Sequence, residues 1–191
     1  MRFSINQTSV PAYNPVTLAD CKKFLEISDT ETRHDLMITN LINGATSRAE
    51  NYTKQLFAQR LVTINSDFFQ EFIYLPINPI VSLDTIKYYD SDDVLQTMAT
   101  TDYDVDIYDK PPLIKIKVFP SIKNKLNAVQ FNVTAGYTSG NSPIGSDMIP
   151  DAIKEAIKFN VYQTFMNRGE ETEGIIRAFE NLLYNYRTIK L

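Results

Sequence analysis

The hydrophobic period of this chain changes twice along its length. From Thr17 to Asn51-Tyr52-Thr53, apolar residues recur at steps of three and four. From Leu61 to Thr134 they alternate, and from Ile149 the helical step returns. A step near 3.6 builds one buried stripe on a helix, whereas a step of two builds one buried face on a strand. A pattern written for one conformation does not sit still in the other. The expected fold class is therefore α+β: a helical layer formed by the N- and C-terminal helices, with a small antiparallel β-rich middle region.

The helical parts carry their own punctuation. Thr17 can cap a short helix with Leu18, Cys21, Phe24 and Leu25 on one face. Ser28 and Glu31 have capping-box spacing and predict the start of a longer helix. In that helix Ile38, Leu41, Ile42, Ala45, Ala49 and Tyr52 form the apolar stripe. Gly44 costs about 1 kcal/mol relative to Ala in a helix, which fits a close helix contact. Pro150 suits a first helical turn, and Ile153, Ala156, Ile157, Asn160, Val161, Thr164 and Phe165 follow as a stripe. Gly169 ends that helix, and Ile175, Ile176, Phe179, Leu182, Leu183 and Tyr186 predict a last one.

Between the helices, strands are expected at 61–64, 71–75, 103–107, 114–118 and 128–134. A hairpin of 81–89 with 94–98 turns around Asp90-Ser91-Asp92-Asp93. Residues 1–15, with Pro11 and Pro15, read as an extended arm. The remainder, 16–191, reads as a single domain: helical over 16–60, β-rich over 61–138, then a loop and the C-terminal helices over 139–191.

Composition narrows the function classes. The formal net charge of −4 argues against a broad nucleic-acid grip, which is normally basic. No apolar run approaches the ~20 residues that span a bilayer, so no membrane partner is expected. The start has no apolar core of signal-peptide length. The single cysteine, Cys21, allows no disulfide within the chain and fits a reducing compartment.

No catalytic constellation is legible, and we expect no enzymatic activity, no cofactor and no metal. Cys21 and His34 are the one conceivable nucleophile–base pair, but Cys21 sits at an apolar helix position, where an inert thiol is the commoner case. Two such ligands cannot fill a zinc shell. Gly140-Asn141-Ser142-Pro143-Ile144-Gly145-Ser146 has phosphate-loop spacing but lacks the lysine that reaches the phosphates. Asp102, Asp104 and Asp106 alternate with Tyr103, Val105 and Ile107, as on a strand with one acidic face. Lys115 and Lys117 alternate in the same way, and pairing of the two faces would complement charge. As nucleic-acid candidates we take Lys115, Lys117, Lys123 and Lys125, with Lys110 and Phe119 nearby. The favoured account is instead an exposed edge strand that uses lysines against aggregation, because the rest of the chain is acidic.

Several short motifs occur in a telling order. They are Asn51-Tyr52-Thr53, Leu75-Pro76 with Pro79, Ile86-Lys87-Tyr88-Tyr89-Asp90, and Thr134-Ala135-Gly136-Tyr137. Ile149-Pro150-Asp151-Ala152-Ile153-Lys154, Asn167-Arg168 and Tyr184-Asn185-Tyr186-Arg187 complete the series. Over about residues 16–187 the chain thus resembles the head–tail connector (adaptor, or head-completion) proteins of tailed bacteriophages and gene transfer agents.

The resemblance implies a virion structural protein of the neck, assembled in the bacterial host cytoplasm. Its copies would form a ring, a dodecamer, beneath the portal protein, and meet a downstream neck or tail-completion protein. DNA would pass through the channel without sequence-specific binding. It further implies that the C-terminal helix and tail meet the portal, which falls here on Arg177, Tyr184, Tyr186, Arg187 and Lys190. Removing the chain from Tyr184 onward is expected to abolish that contact and leave the fold intact. The alternative is a small non-catalytic binding module for nucleic acid or protein.

Overall fold

The computed structural model describes residues 2–11, 13–109, 111–137, 149–167 and 173–188. Its contacts divide the chain into two compact units, residues 1–12 with 59–137 and residues 13–58 with 138–191. The division follows the period of the sequence: strands in the first unit, helices in the second.

In the first unit, β1 (Phe3–Gln7), β2 (Arg60–Ser66), β8 (Val129–Ala135), β4 (Ile80–Tyr89) and β5 (Leu95–Thr97) form a five-stranded sheet in the order β1-β2-β8-β4-β5. Every neighbouring pair is antiparallel. The stretch read as an arm supplies β1, which pairs Phe3 with Ser66 through Gln7 with Val62. Val62 and Ile64 on β2, Val129, Phe131 and Val133 on β8, and Ile86 on β4 are buried. Each such side chain contributes roughly 1.5–3 kcal/mol. The opposite face is polar: Thr63 Oγ1 donates to Asn132 Oδ1 at 2.8 Å, and Asn132 Nδ2 donates to Thr85 Oγ1 at 2.9 Å. These residues stand in register across β2, β8 and β4, so the alternation seen in the sequence becomes a side-chain ladder.

A second, three-stranded sheet runs in the order β3 (Phe72–Tyr74), β7 (Leu113–Ile116), β6 (Tyr103–Asp106). Ile73, Ile114, Ile116 and Tyr103 are its buried side. On the other side Phe72, Lys115 and Asp104 stand in line, and Lys117 Nζ lies 2.7 Å from Asp104 Oδ1. The expected charge complement between the acidic and basic alternations is present. The edge-strand account of the lysines is corrected: β7 is the central strand, because β3 and β6 pair with its two edges. Aggregation control at a free edge therefore does not explain Lys115.

The second unit holds α1 (Leu18–Phe24), α2 (Asp35–Thr53), α3 (Asp151–Met166) and α4 (Glu173–Leu183), with a 3₁₀ turn at Tyr184–Tyr186. α2 packs on α3 and α3 on α4, while α1 touches both α2 and α3. Ile38, Ile42, Ala45 and Ala49 of α2 are buried, as are Ile153, Ala156, Ile157 and Val161 of α3. Both stripes predicted by periodicity thus face inward, although Leu41 and Tyr52 are only half-buried. Thr17 caps α1 in a reciprocal capping box with Asp20.

Two local expectations are corrected. The Ser28–Glu31 box does not open α2: the Ser28 hydroxyl is engaged with Thr30 Oγ1 at 2.9 Å, and Glu31 N–H donates to the Ser28 carbonyl. The helix begins at Asp35 with His34 as N-cap and no side-chain cap bond. The buried Lys22 supplies the anchor instead, its Nζ lying 2.7 Å from Asp35 Oδ1 and 3.3 Å from the Asp29 carbonyl. Gly44 is also not a close-packing site among the described residues, where a Cβ would meet nothing within 4 Å.

Candidate functional site

The candidate site lies where the C-terminal segment returns to the end of α2. α2 terminates at Lys54, whose backbone adopts the left-handed conformation (φ 58°) and whose N–H donates to the Glu50 carbonyl. Helix ends leave carbonyls without intrahelical partners. Here the chain from the far end supplies one: the Thr188 amide donates to the Thr53 carbonyl at 2.8 Å. Gln55 Nε2 donates to the Tyr186 carbonyl at 2.7 Å, and the Arg187 guanidinium lies 5.6 Å from the centre of the Tyr52 ring.

This arrangement brings together three of the residues named for portal contact. Tyr184 is 63 % exposed, Arg187 is exposed, and Tyr186 is half-buried beneath the Gln55 contact. Arg177 sits one helical stretch earlier, exposed on α4, while Phe179 and Leu183 of the same helix are buried. Lys190 lies outside the described residues, as do the phosphate-loop lookalike at 140–146, Gly169 and Lys110. Sequence reading missed Thr53 and Gln55. The signal for them was weak, a buried threonine at the last position of an apolar stripe.

This geometry adds a stability cost to the truncation at Tyr184. Removing the chain from Tyr184 onward does more than delete a docking tail, because it strips partners from Thr53 and Gln55 at the end of the long helix. That truncation should therefore weaken the helical unit as well as remove the docking residues.

Each of the four candidate lysines is engaged locally. Lys115 lies 5.5 Å from the Phe72 ring centre, and Lys117 is paired with Asp104. Lys123 and Lys125 instead tie the 120s loop to the tip of the β4–β5 hairpin. Lys123 Nζ reaches the Ser91 carbonyl at 3.5 Å, and Lys125 Nζ bonds Asp93 at 2.6 Å while lying over the Tyr89 ring. The Lys125 bond holds the Asp93 carboxyl below its ordinary range. Asp90 is lowered likewise, first by the Gln96 side chain and then by the Val94 amide. Each cation thus has a local partner or ring, and a phosphate backbone would have to compete with it.

Cys21 is buried, and desolvation pushes its thiol up to about 11, so it is protonated and inert at neutral pH. His34 is half-buried and packs edge-on against Phe165, with ring centres 5.6 Å apart. Among the described residues no three His, Cys, Asp or Glu side chains converge as metal ligands, and no helix is long and apolar enough to cross a membrane.

Comparison with known proteins bears out the resemblance read from the sequence. Residues 15–102 match the family described as phage gp6-like head-tail connector protein. No curated protein matches the chain. Among solved structures, a chain in the neck of an empty gene transfer agent (GTA) particle, computed with C6 symmetry, superposes with a TM-score of 0.79. It is 16 % identical, and the match covers 98 % of this chain and 97 % of that one. A chain of the native GTA virion gives 0.78 at 15 % identity, covering 98 % and 96 %. A chain in the neck of the native GTA particle, computed with C12 symmetry, gives 0.75 at 15 % identity, covering 98 % and 97 %. At these identities the likeness establishes the fold: a mixed α+β chain of the same architecture from end to end.

Proposed function

We propose that this chain is a structural protein of a virion neck: a head–tail connector that forms a ring under the portal, extends the DNA channel and joins head to tail. The observation that carries this reading is the conjunction of two likenesses. The connector family matches the stretch that holds α1, α2 and β2 to β5, and the fold of neck chains matches 98 % of the length. The C6 and C12 symmetries of those neck structures support a closed ring of copies, a dodecamer on the second count.

Residues 16–191 act as one connector body in this reading, with the N- and C-terminal helices as its helical layer. Its portal-facing surface is built on Arg177, Tyr184, Tyr186, Arg187 and Lys190, aromatics and cations of the kind that anchor interfaces. A downstream neck or tail-completion protein binds the ring, and DNA passes without sequence-specific contact. The role is architectural and needs no catalysis. The chain works in the virion neck after assembly in the bacterial host cytoplasm.

Co-purification tests the portal contact. The chain mixed with the portal protein of the same genome elutes with it, and Tyr184→Ala with Arg187→Glu weakens that co-elution by tenfold or more, about 1.4 kcal/mol. Unchanged co-elution of the doubly substituted chain rejects the assignment of these residues. Absence of co-elution by the unaltered chain rejects the portal as partner.

A further inference from the structure

The charged residues of α2 are all committed inside the helical unit. Asp35 pairs with Lys22, the Arg48 guanidinium lies 5.7 Å from the Phe179 ring centre, and Glu50 Oε1 accepts the Phe57 amide at 2.7 Å. The outward side of this 19-residue helix consequently carries no charge. Leu36, Met37, Asn40, Asn43, Ser47 and Asn51 are its exposed residues, together with Gly44. Steps of three and four align them in a stripe about 22 Å long, at 1.5 Å per residue.

That is unusual for a surface helix, whose water-facing side ordinarily carries charged groups. Gly44 sharpens the point. It costs the helix about 1 kcal/mol relative to Ala, and packing among the described residues does not ask for it, since a Cβ there would meet nothing within 4 Å. A backbone approaching from outside would ask for it.

We propose that this stripe is the surface on which a second copy of the chain packs, the self-contact that the ring reading requires and on which this inference rests. Electrostatics selects the occupant. Copies of a chain with net charge −4 repel one another, so their contact is favoured where charge is absent. A DNA duplex would be held by cations, of which the stripe has none. Like an interface core the stripe is depleted in Lys, Glu and Asp; Leu36 (77 % exposed) and Met37 (45 %) are apolar anchors at one end, and Asn40, Asn43, Ser47 and Asn51 supply uncharged hydrogen-bonding groups along the rest. A contact repeated around a rotation axis is heterologous, so the stripe meets a different surface of its neighbour.

Photo-crosslinking tests this. Ser47→Cys is labelled with a benzophenone maleimide; the buried Cys21 is shielded from the reagent. The labelled chain is irradiated both in a mixture with the portal protein and alone across a concentration series. Expected are adducts of twice the chain mass, with the label attached to a peptide of a second copy. Adding Gly44→Glu lowers their yield roughly tenfold or more, through like-charge and steric conflict, without lowering the melting temperature of the monomer. Adducts to the portal alone, or none while electron microscopy displays a ring, overturn the stripe and leave the connector reading standing. If no ring forms, the connector reading fails by itself. The stripe is then upheld by copy-to-copy adducts of the free chain at high concentration, and overturned by their absence.

Discussion

The amide of Thr188 donates to the carbonyl of Thr53 at 2.8 Å, tying the last described turn of the chain to the end of its longest helix. Together with the Gln55–Tyr186 bond, this makes the C-terminal segment a cap as well as a candidate docking element. Deleting the chain from Tyr184 onward should therefore destabilise the helical unit by about 1–3 kcal/mol, the cost of unsatisfied polar groups at a helix end. Urea unfolding of the truncated and full chains measures this, and equal midpoints would refute the cap.

Lys22 is the least expected buried residue, 3 % exposed and paired with Asp35. Removing one partner of a buried pair leaves the other charge uncompensated. Asp35→Ala should cost about 3 kcal/mol or somewhat less, given that Asp35 itself is 30 % exposed. Lys22→Met should cost clearly less, because its thioether keeps the packing and leaves only the better-solvated carboxylate. Thermal unfolding of the two variants gives the order, and the reverse order would contradict this account of the α1–α2 junction.

Core truncations should separate the two classes of stripe position. Ile153 is fully buried on α3, so Ile153→Ala is expected to cost about 2–5 kcal/mol. Leu41 belongs to the α2 stripe by period but is only half-buried, so Leu41→Ala should fall below that range. Chemical denaturation decides. A loss well under 1 kcal/mol for Ile153→Ala would mean that α3 presents another face inward.

Gly44 gives a prediction of opposite sign. With open space at the Cβ position, Gly44→Ala should stabilise the isolated chain by up to about 1 kcal/mol. A destabilised variant would mean that the glycine serves the monomer after all, which removes one support of the proposed self-contact.

Cys21 sets an alkaline limit. Desolvation raises its thiol from 9.0 to about 11, so the fold favours the protonated form. The stability gained is fully present below pH 9 and is lost as pH rises through about 11. Alkylation at pH 8 should consequently be slow in the native chain and appear with unfolding in denaturant. Rapid native-state labelling would contradict the burial.

What the sequence revealed, and where it stopped, follows from the range of each interaction. Periodicity placed both helix stripes and the strands, because it records which side of an element is buried: Ile38 and Ile42, or Val129, Phe131 and Val133, need no knowledge of their neighbours. It misplaced the start of α2, since Ser28 and Glu31 matched a local rule while the real anchor, Lys22, lies seven residues before Asp29. It also placed Lys115 on an edge strand, because sheet order depends on which strands meet and β7 turned out to be central. The candidate site was half legible. Exposed Tyr184 and Arg187 carry chemistry visible in one dimension, whereas Gln55 and Tyr186 are 131 residues apart and meet only in the fold. The uncharged side of α2 became visible only once Asp35, Arg48 and Glu50 had been assigned inward partners.

The central claim is that copies of this chain form a ring on a portal. The most direct measurement mixes the purified chain with the portal protein from the same genome and images the mixture by electron microscopy. The account predicts an added ring of density on the exit side of the portal, with rotational symmetry that gives the copy number. Intact portals without added density, alongside a folded chain, would contradict it.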